Sequence, residues 1–204
     1  MFKAAFFRKV DPLHLYQFML FLHIVALSVG LAAGGILLTC LIKLRGATSL
    51  EQAAPFGALA GQIEKAFPVA ILGLFATGAY MTSHLWTWDT GWIDTAIAGL
   101  VVLGIQGPLL GGRAGHRLKH ALMENGPGPL GAEARRAARH VHMWWAELAN
   151  FGLVFGIVWN MTHKPGWTEA ILAEAIGYGV GALLALQISR GEIVEAVGVA
   201  EPGV

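Results

Sequence analysis

The run LHLYQFMLFLHIVALSVGLAAGGILLTCLIKL, residues 13–44, decides the fold. It holds no Asp, Glu, Lys or Arg before Lys43, and about 20 apolar residues suffice for a helix to cross a bilayer. The one ionisable side chain in the middle of the run is His23. A helix turns ~100° per residue, so His23, Gly30 and Gly34 fall within ~20° of one line. Gly30 and Gly34 form a GxxxG pair, the pattern that lets membrane helices approach closely. His23 is therefore expected to face protein rather than lipid.

Working outward, the whole chain has 55% hydrophobic and 13% charged residues with a positive mean hydropathy. That balance marks a polytopic membrane protein and not a water-soluble fold. The formal net charge of +1 points to no acidic macromolecular partner, and nucleic-acid binding has no support. A single cysteine, Cys40, excludes an internal disulfide and any CxxC motif. The opening MFKAAFFRKV resembles the basic start of a signal peptide, but the apolar run after it is too long for one. It reads as a retained first helix, started by Asp11 as N-cap and Pro12 at the first helical position.

The expected architecture is all-α, a single membrane domain over 1–204 with five transmembrane helices at about 13–44, 62–83, 92–110, 141–161 and 168–189. Residues 45–61 read as a polar, small-residue connector. Pro68 is expected to kink the second helix, and Gly107-Pro108 to interrupt the third. Trp86, Trp88 and Trp92 form an aromatic belt at a membrane–water boundary. The basic connector 111–140 holds two short helical patterns, HRLKHALMEN and AEARRAARH, split by GPGPLG. Lys43, Arg45, Lys65, Arg113, Arg117, Lys119, Arg135, Arg136, Arg139 and Arg190 lie on one side, against Lys3, Arg8, Lys9 and Lys164 on the other. The positive-inside rule then puts the N-terminus outside and the C-terminus and connector in the cytoplasm, next to anionic lipid.

Polar groups at depth are costly in a bilayer and so are the functional candidates. In the outer half, His23 is paired in this reading with Glu174, whose stripe Ala170, Glu174, Gly177 and Gly181 is again small. Tyr80, Thr77 and His84 of the second helix lie at a similar level. In the inner half, Glu147 and Asn150 of the fourth helix fall at a depth comparable to Gln106 of the third, and a Glu with amide neighbours can stay neutral or serve as a proton or cation site. The plainer alternative for Glu147 is an ion pair with an arginine of the connector. His23 with its glycine face also supplies half of a haem b site, with His84 or His163 as a tilted or strained second ligand, the plainer alternative being a buried, hydrogen-bonded His23. Met81 and His84, echoed by Met161 and His163, offer thioether and imidazole ligands of the kind that suit copper. No catalytic constellation is readable: no zinc HExxH, P-loop, nucleophile elbow or dinucleotide fingerprint occurs.

The segments FLHIVALSVGLAAGG (21–35) and GLFATGAYMTSHLWTWDTGWIDTAIAGLVVLG (73–104), with the Gly-Pro of the third helix, resemble an uncharacterised family of bacterial integral membrane proteins. That family is distantly similar to the copper-resistance D (CopD) group. The resemblance implies a helical bundle in the bacterial cytoplasmic membrane, with copper handling or haem ligation at His23 first and His84 second. The fifth helix is additional to the family's usual four. The expected function is thus a non-enzymatic inner-membrane protein with a polar intramembrane site for a small ligand, ion or cofactor, or a subunit of a membrane complex. The alternatives are a b-type haem electron carrier and a copper-transport or copper-resistance protein.

Overall fold

The computed structural model describes the backbone over residues 12–198 and side chains over 13–188. The expected Asp11 cap, the basic residues Lys3, Arg8 and Lys9, and the side chain of Arg190 fall outside these ranges. The chain is an all-α bundle: α1 (Pro12–Gly46), α2 (Leu50–Ile63), α3 (Ala66–Leu85), α4 (Gly91–Gln106), a π-helical turn (Gly107–Gly112), α5 (Arg113–Glu124), α6 (Ala132–Ala138), α7 (Val141–His163) and α8 (Trp167–Gly198). Among the described residues five stretches are long and apolar enough to span a membrane, Leu13–Gly46, Leu50–Leu85, Gly91–Glu124, Ala132–His163 and Trp167–Ile188.

The outward faces of these helices are apolar. Val69 and Leu72 on α3 are 69% and 68% exposed, and Phe21, Phe155 and Ile176 also project outward. A water-soluble surface does not carry apolar area on this scale, whereas acyl chains cover it without cost. α7 is the central helix. Of its apolar stretch 44% is buried, against 22–28% in the others, and it packs on α8, α4, α1, α5 and the π-turn.

Two boundaries differ from expectation. The connector 45–61 contains a helix, α2, and the break before α3 falls at Glu64-Lys65. Pro68 sits in the first turn of α3, where a missing N–H costs little, so it kinks nothing. Gly107-Pro108 likewise does not stop the chain. Pro108 has no N–H to give to the carbonyl four residues back, and the backbone widens to π register over Gly107–Gly112 before continuing into α5.

At the end of the bundle bearing α5 and α6, here the basic end, the connectors lock together. Leu50 N donates to Gly128 O (2.9 Å), Leu130 N to Thr48 O (2.9 Å) and Gly128 N to Glu51 Oε1 (3.1 Å). Gly128 takes φ +106° there, a conformation that requires glycine. The apolar sides of α5 and α6 (Ala114, Leu118, Leu122, Ala134, Ala138) bury against Leu41 and Leu44 of α1, Ala53 of α2 and Trp144 of α7. The connector thus packs on protein with its apolar side and leaves its charges outward. At the opposite, tryptophan end, a Cβ on Gly91 would stand 2.6 Å from the backbone nitrogen of Trp167. Lys164 Nζ lies 4.6 Å from the centre of the Trp86 ring. These contacts tie the α3–α4 turn to the α7–α8 turn.

Candidate functional site

His23 projects from α1 toward α3. Its Nδ1 is 2.8 Å from Thr77 Oγ1, and that hydroxyl donates its single proton to Gly73 O at 2.6 Å. The network therefore assigns the donated proton of the pair to His23 Nδ1. α1 and α3 close to van der Waals contact around it. A Cβ on Gly73 would be 3.2 Å from Ala26 Cβ, on Gly30 3.5 Å from Ala70 Cβ, and on Gly78 3.5 Å from His23 Cε1. These glycines serve helix packing and leave no cleft for a porphyrin. The expected His23–Glu174 pair is not made, because α1 lies on α2, α3 and α7 while α8 lies on α7 and α4.

The other candidate ligands also stay apart. His84 Nδ1 donates to Tyr80 O (2.8 Å) and its ring stacks on Tyr80 at 4.0 Å. It lies seven residues beyond Thr77, about 10 Å along the helix axis. Met161 packs beside Trp92, Ile93 and Ala170, and His163 stacks on Trp159 at 3.6 Å. α3 and α7 do not pack on each other, so Met81 and His84 are not brought to Met161 and His163. Among the described residues no three His, Cys, Asp or Glu side chains converge. The residues present therefore fit neither a haem between α1 and α3 nor the proposed copper set.

What the fold does assemble lies along α7. The α7–α8 contact is backbone on backbone. A Cβ on Gly152 or Gly177 would strike the other's carbonyl oxygen, and one on Gly181 would strike Leu148 O. Two GxxxG pairs, Gly152/Gly156 and Gly177/Gly181, create this approach. Near the tryptophan end it brings Glu174 to Asn160. Asn160 is fully buried, and its Nδ2 donates to Ala170 O (3.1 Å) and Glu174 Oε1 (3.0 Å). Glu174 Oε2 faces Gly99 of α4, where a Cβ would be 2.6 Å away. Asn160 Oδ1 has no hydrogen-bond partner.

Midway, three helices share one chain of bonds. Trp145 Nε1 donates to Tyr178 OH (3.2 Å), Tyr178 OH to Gln106 Oε1 (2.8 Å), and Gln106 Nε2 to Asn150 Oδ1 (3.0 Å). Gln106 and Asn150 are thus brought together, on α4 and α7.

Nearest the basic end is Glu147, 7% exposed, six residues into α7 and so about 9 Å from its start. Its Oε1 is buried with no hydrogen-bond partner, and no arginine of the connector reaches the carboxyl among the described residues. Gly34 of α1 makes the space: a Cβ there would be 3.3 Å from Glu147 Oε1 and 2.8 Å from Phe151 Cζ. A second carboxyl, Glu64 at the α2–α3 break, lies within electrostatic range and sits against Gly115 of α5, where a Cβ would be 3.3 Å from its Oε1.

Sequence reasoning passed over Asn160, Tyr178, Trp145 and Glu64. A signal existed for Tyr178, four residues after Glu174 on the same face. For Asn160, whose partner comes from another helix, none did. Compared with known proteins, the chain matches no family model, no curated protein and no solved structure.

Proposed function

We propose that this multi-pass membrane protein binds and releases a proton inside the bilayer, with Glu147 as the proton site. The observation behind it is that Glu147 Oε1 is buried without a hydrogen-bond partner and that no Lys, Arg or His pairs with the carboxyl among the described residues. An ionised carboxylate in such a place costs several kcal/mol, and a proton is the smallest species that removes the charge. Glu64, half-buried at the α2–α3 break, provides a second acidic group within electrostatic range of this site. Gln106, Asn150, Tyr178 and Glu174 continue the series of polar groups toward the tryptophan end. We further propose that the basic end faces the cytoplasm of a bacterial inner membrane. Among the described residues nine Lys and Arg cluster at that end, against Lys164 at the other.

The test is a proton count on denaturation. The full chain in detergent, in weakly buffered neutral solution with a pH dye, is unfolded by a strong anionic detergent. A proton held by Glu147 only in the fold is released at that moment. The wild-type chain should release close to one proton more than Glu147→Gln. Equal release from the two would overturn the proton site.

A further inference from the structure

Between α5 and α6 lies a groove of about 400 Å³ lined by Ala114, Arg117, His120, Glu133, Arg136 and His140, with Ala121 and Ala137 in its floor. Its position is set by the chain. α5 continues without a break from α4 through the π-turn, and α6 leads within three residues into α7. Ala114 and His140 therefore mark the level at which two spans leave the apolar layer, and the groove opens outward from there.

Its electrostatics select a ligand. Arg117 and Arg136 come from different helices, both are exposed, and neither is in an ion pair among the described residues. His120 is 3.1 Å from Glu124, on its own helix. Glu133 is the one acidic side chain in the lining. Arg117 and Arg136 set against Glu133 leave the groove one positive charge. A phosphodiester, which carries one negative charge, balances it, whereas a phosphate dianion leaves an excess beside Glu133. Guanidinium groups suit phosphate oxygens in geometry as well as in charge.

We infer that this groove binds the phosphodiester headgroup of an anionic lipid. On the same continuous helix, toward the apolar layer, Val101, Val102, Ile105 and Leu109 of α4 and the π-turn are exposed, and the acyl chains of the same lipid would lie along them. Phosphate contact at this level, with tails below, is a geometry that a free phosphate compound does not use.

The experiment measures the thermal midpoint of the full chain in mild detergent as lipid is added. Phosphatidylglycerol should raise it, while phosphatidylcholine and inorganic phosphate should not. In Arg117→Gln/Arg136→Gln the phosphatidylglycerol needed for the same rise should increase roughly thirtyfold, with the lipid-free midpoint unchanged because both side chains are exposed. Lys119→Gln, outside the groove, should raise that requirement no more than about fivefold, the share of one surface charge. An equal response in the double variant, or a loss as large in Lys119→Gln, would reduce the effect to general surface charge and overturn the site. A rise with inorganic phosphate equal to that with lipid would overturn the lipid as its occupant.

Discussion

Gly181→Ala is expected to unfold the bundle at a much lower temperature than the wild-type chain, although it adds only one methyl group. That methyl would occupy the position of Leu148 O, with the Leu148 carbonyl carbon 2.7 Å and Ala149 Cα 2.8 Å away. These are backbone atoms of a helix and cannot rotate aside as a side chain would. Between membrane helices no hydrophobic driving force compensates, since lipid is as apolar as the helices; association rests on close packing. Moving α8 outward would also part Gly152 from Gly177 and stretch the Asn160–Glu174 bond. Overpacking a core costs about 1–3 kcal/mol, and this site belongs at or above the top of that range. Gly179→Ala is the control, because nothing lies within 4 Å of a Cβ there. The two variants compared by thermal midpoint in one detergent give the answer. Equal midpoints would mean that α7 and α8 are not in backbone contact.

Asn160→Leu carries the second large effect. Its amide nitrogen satisfies two acceptors at once, Ala170 O and Glu174 Oε1, in a place without solvent access. Leucine leaves Glu174 Oε1 without its donor, while Ala170 O keeps the backbone bond of its own helix, and a buried group without its partner costs about 1–3 kcal/mol. Replacing both partners removes most of that penalty. Asn160→Leu/Glu174→Met, with an unbranched side chain beside Gly99, is therefore expected to be more stable than Asn160→Leu alone by about 1–3 kcal/mol. A double-mutant cycle under denaturing detergent measures the coupling directly. Additive effects, with no recovery in the double variant, would show that the Asn160–Glu174 bond contributes nothing.

The parts of this fold that were legible in the sequence are those written in local hydropathy. Residues 13–44 could only be a span, and the remaining crossings followed from shorter apolar runs, each of about 20 residues. α2 was not legible because Ala53, Ala54, Gly57, Ala58 and Ala60 are small residues that suit a connector as well as a helix. It becomes a helix by burying Ala53 and Ala60 against neighbours distant in sequence. The Gly107-Pro108 pair signalled a break correctly in chemistry but not in outcome, since a π-turn absorbs the missing donor while the helix continues.

The site was legible to the same degree. Helical phase showed that His23 and Glu174 each lie on a small-residue face. It could not show that one face is covered by α3 and the other by α7, so the inferred pair was wrong although both residues do face protein. Gln106 and Asn150 do bond, through an amide pair that tolerates small errors in depth. The open position beside Glu147 depends on Gly34 of α1, more than a hundred residues away, and no local pattern encodes it.

A carboxylic acid, not a carboxylate, is expected at position 147 in the membrane. Infrared spectroscopy of the full chain in lipid bilayers at neutral pH reads this directly. The difference between wild type and Glu147→Gln should contain the C=O stretch of a protonated carboxyl, at the high frequency typical of one without a hydrogen bond. A difference made only of carboxylate bands would place a charge there and contradict the account.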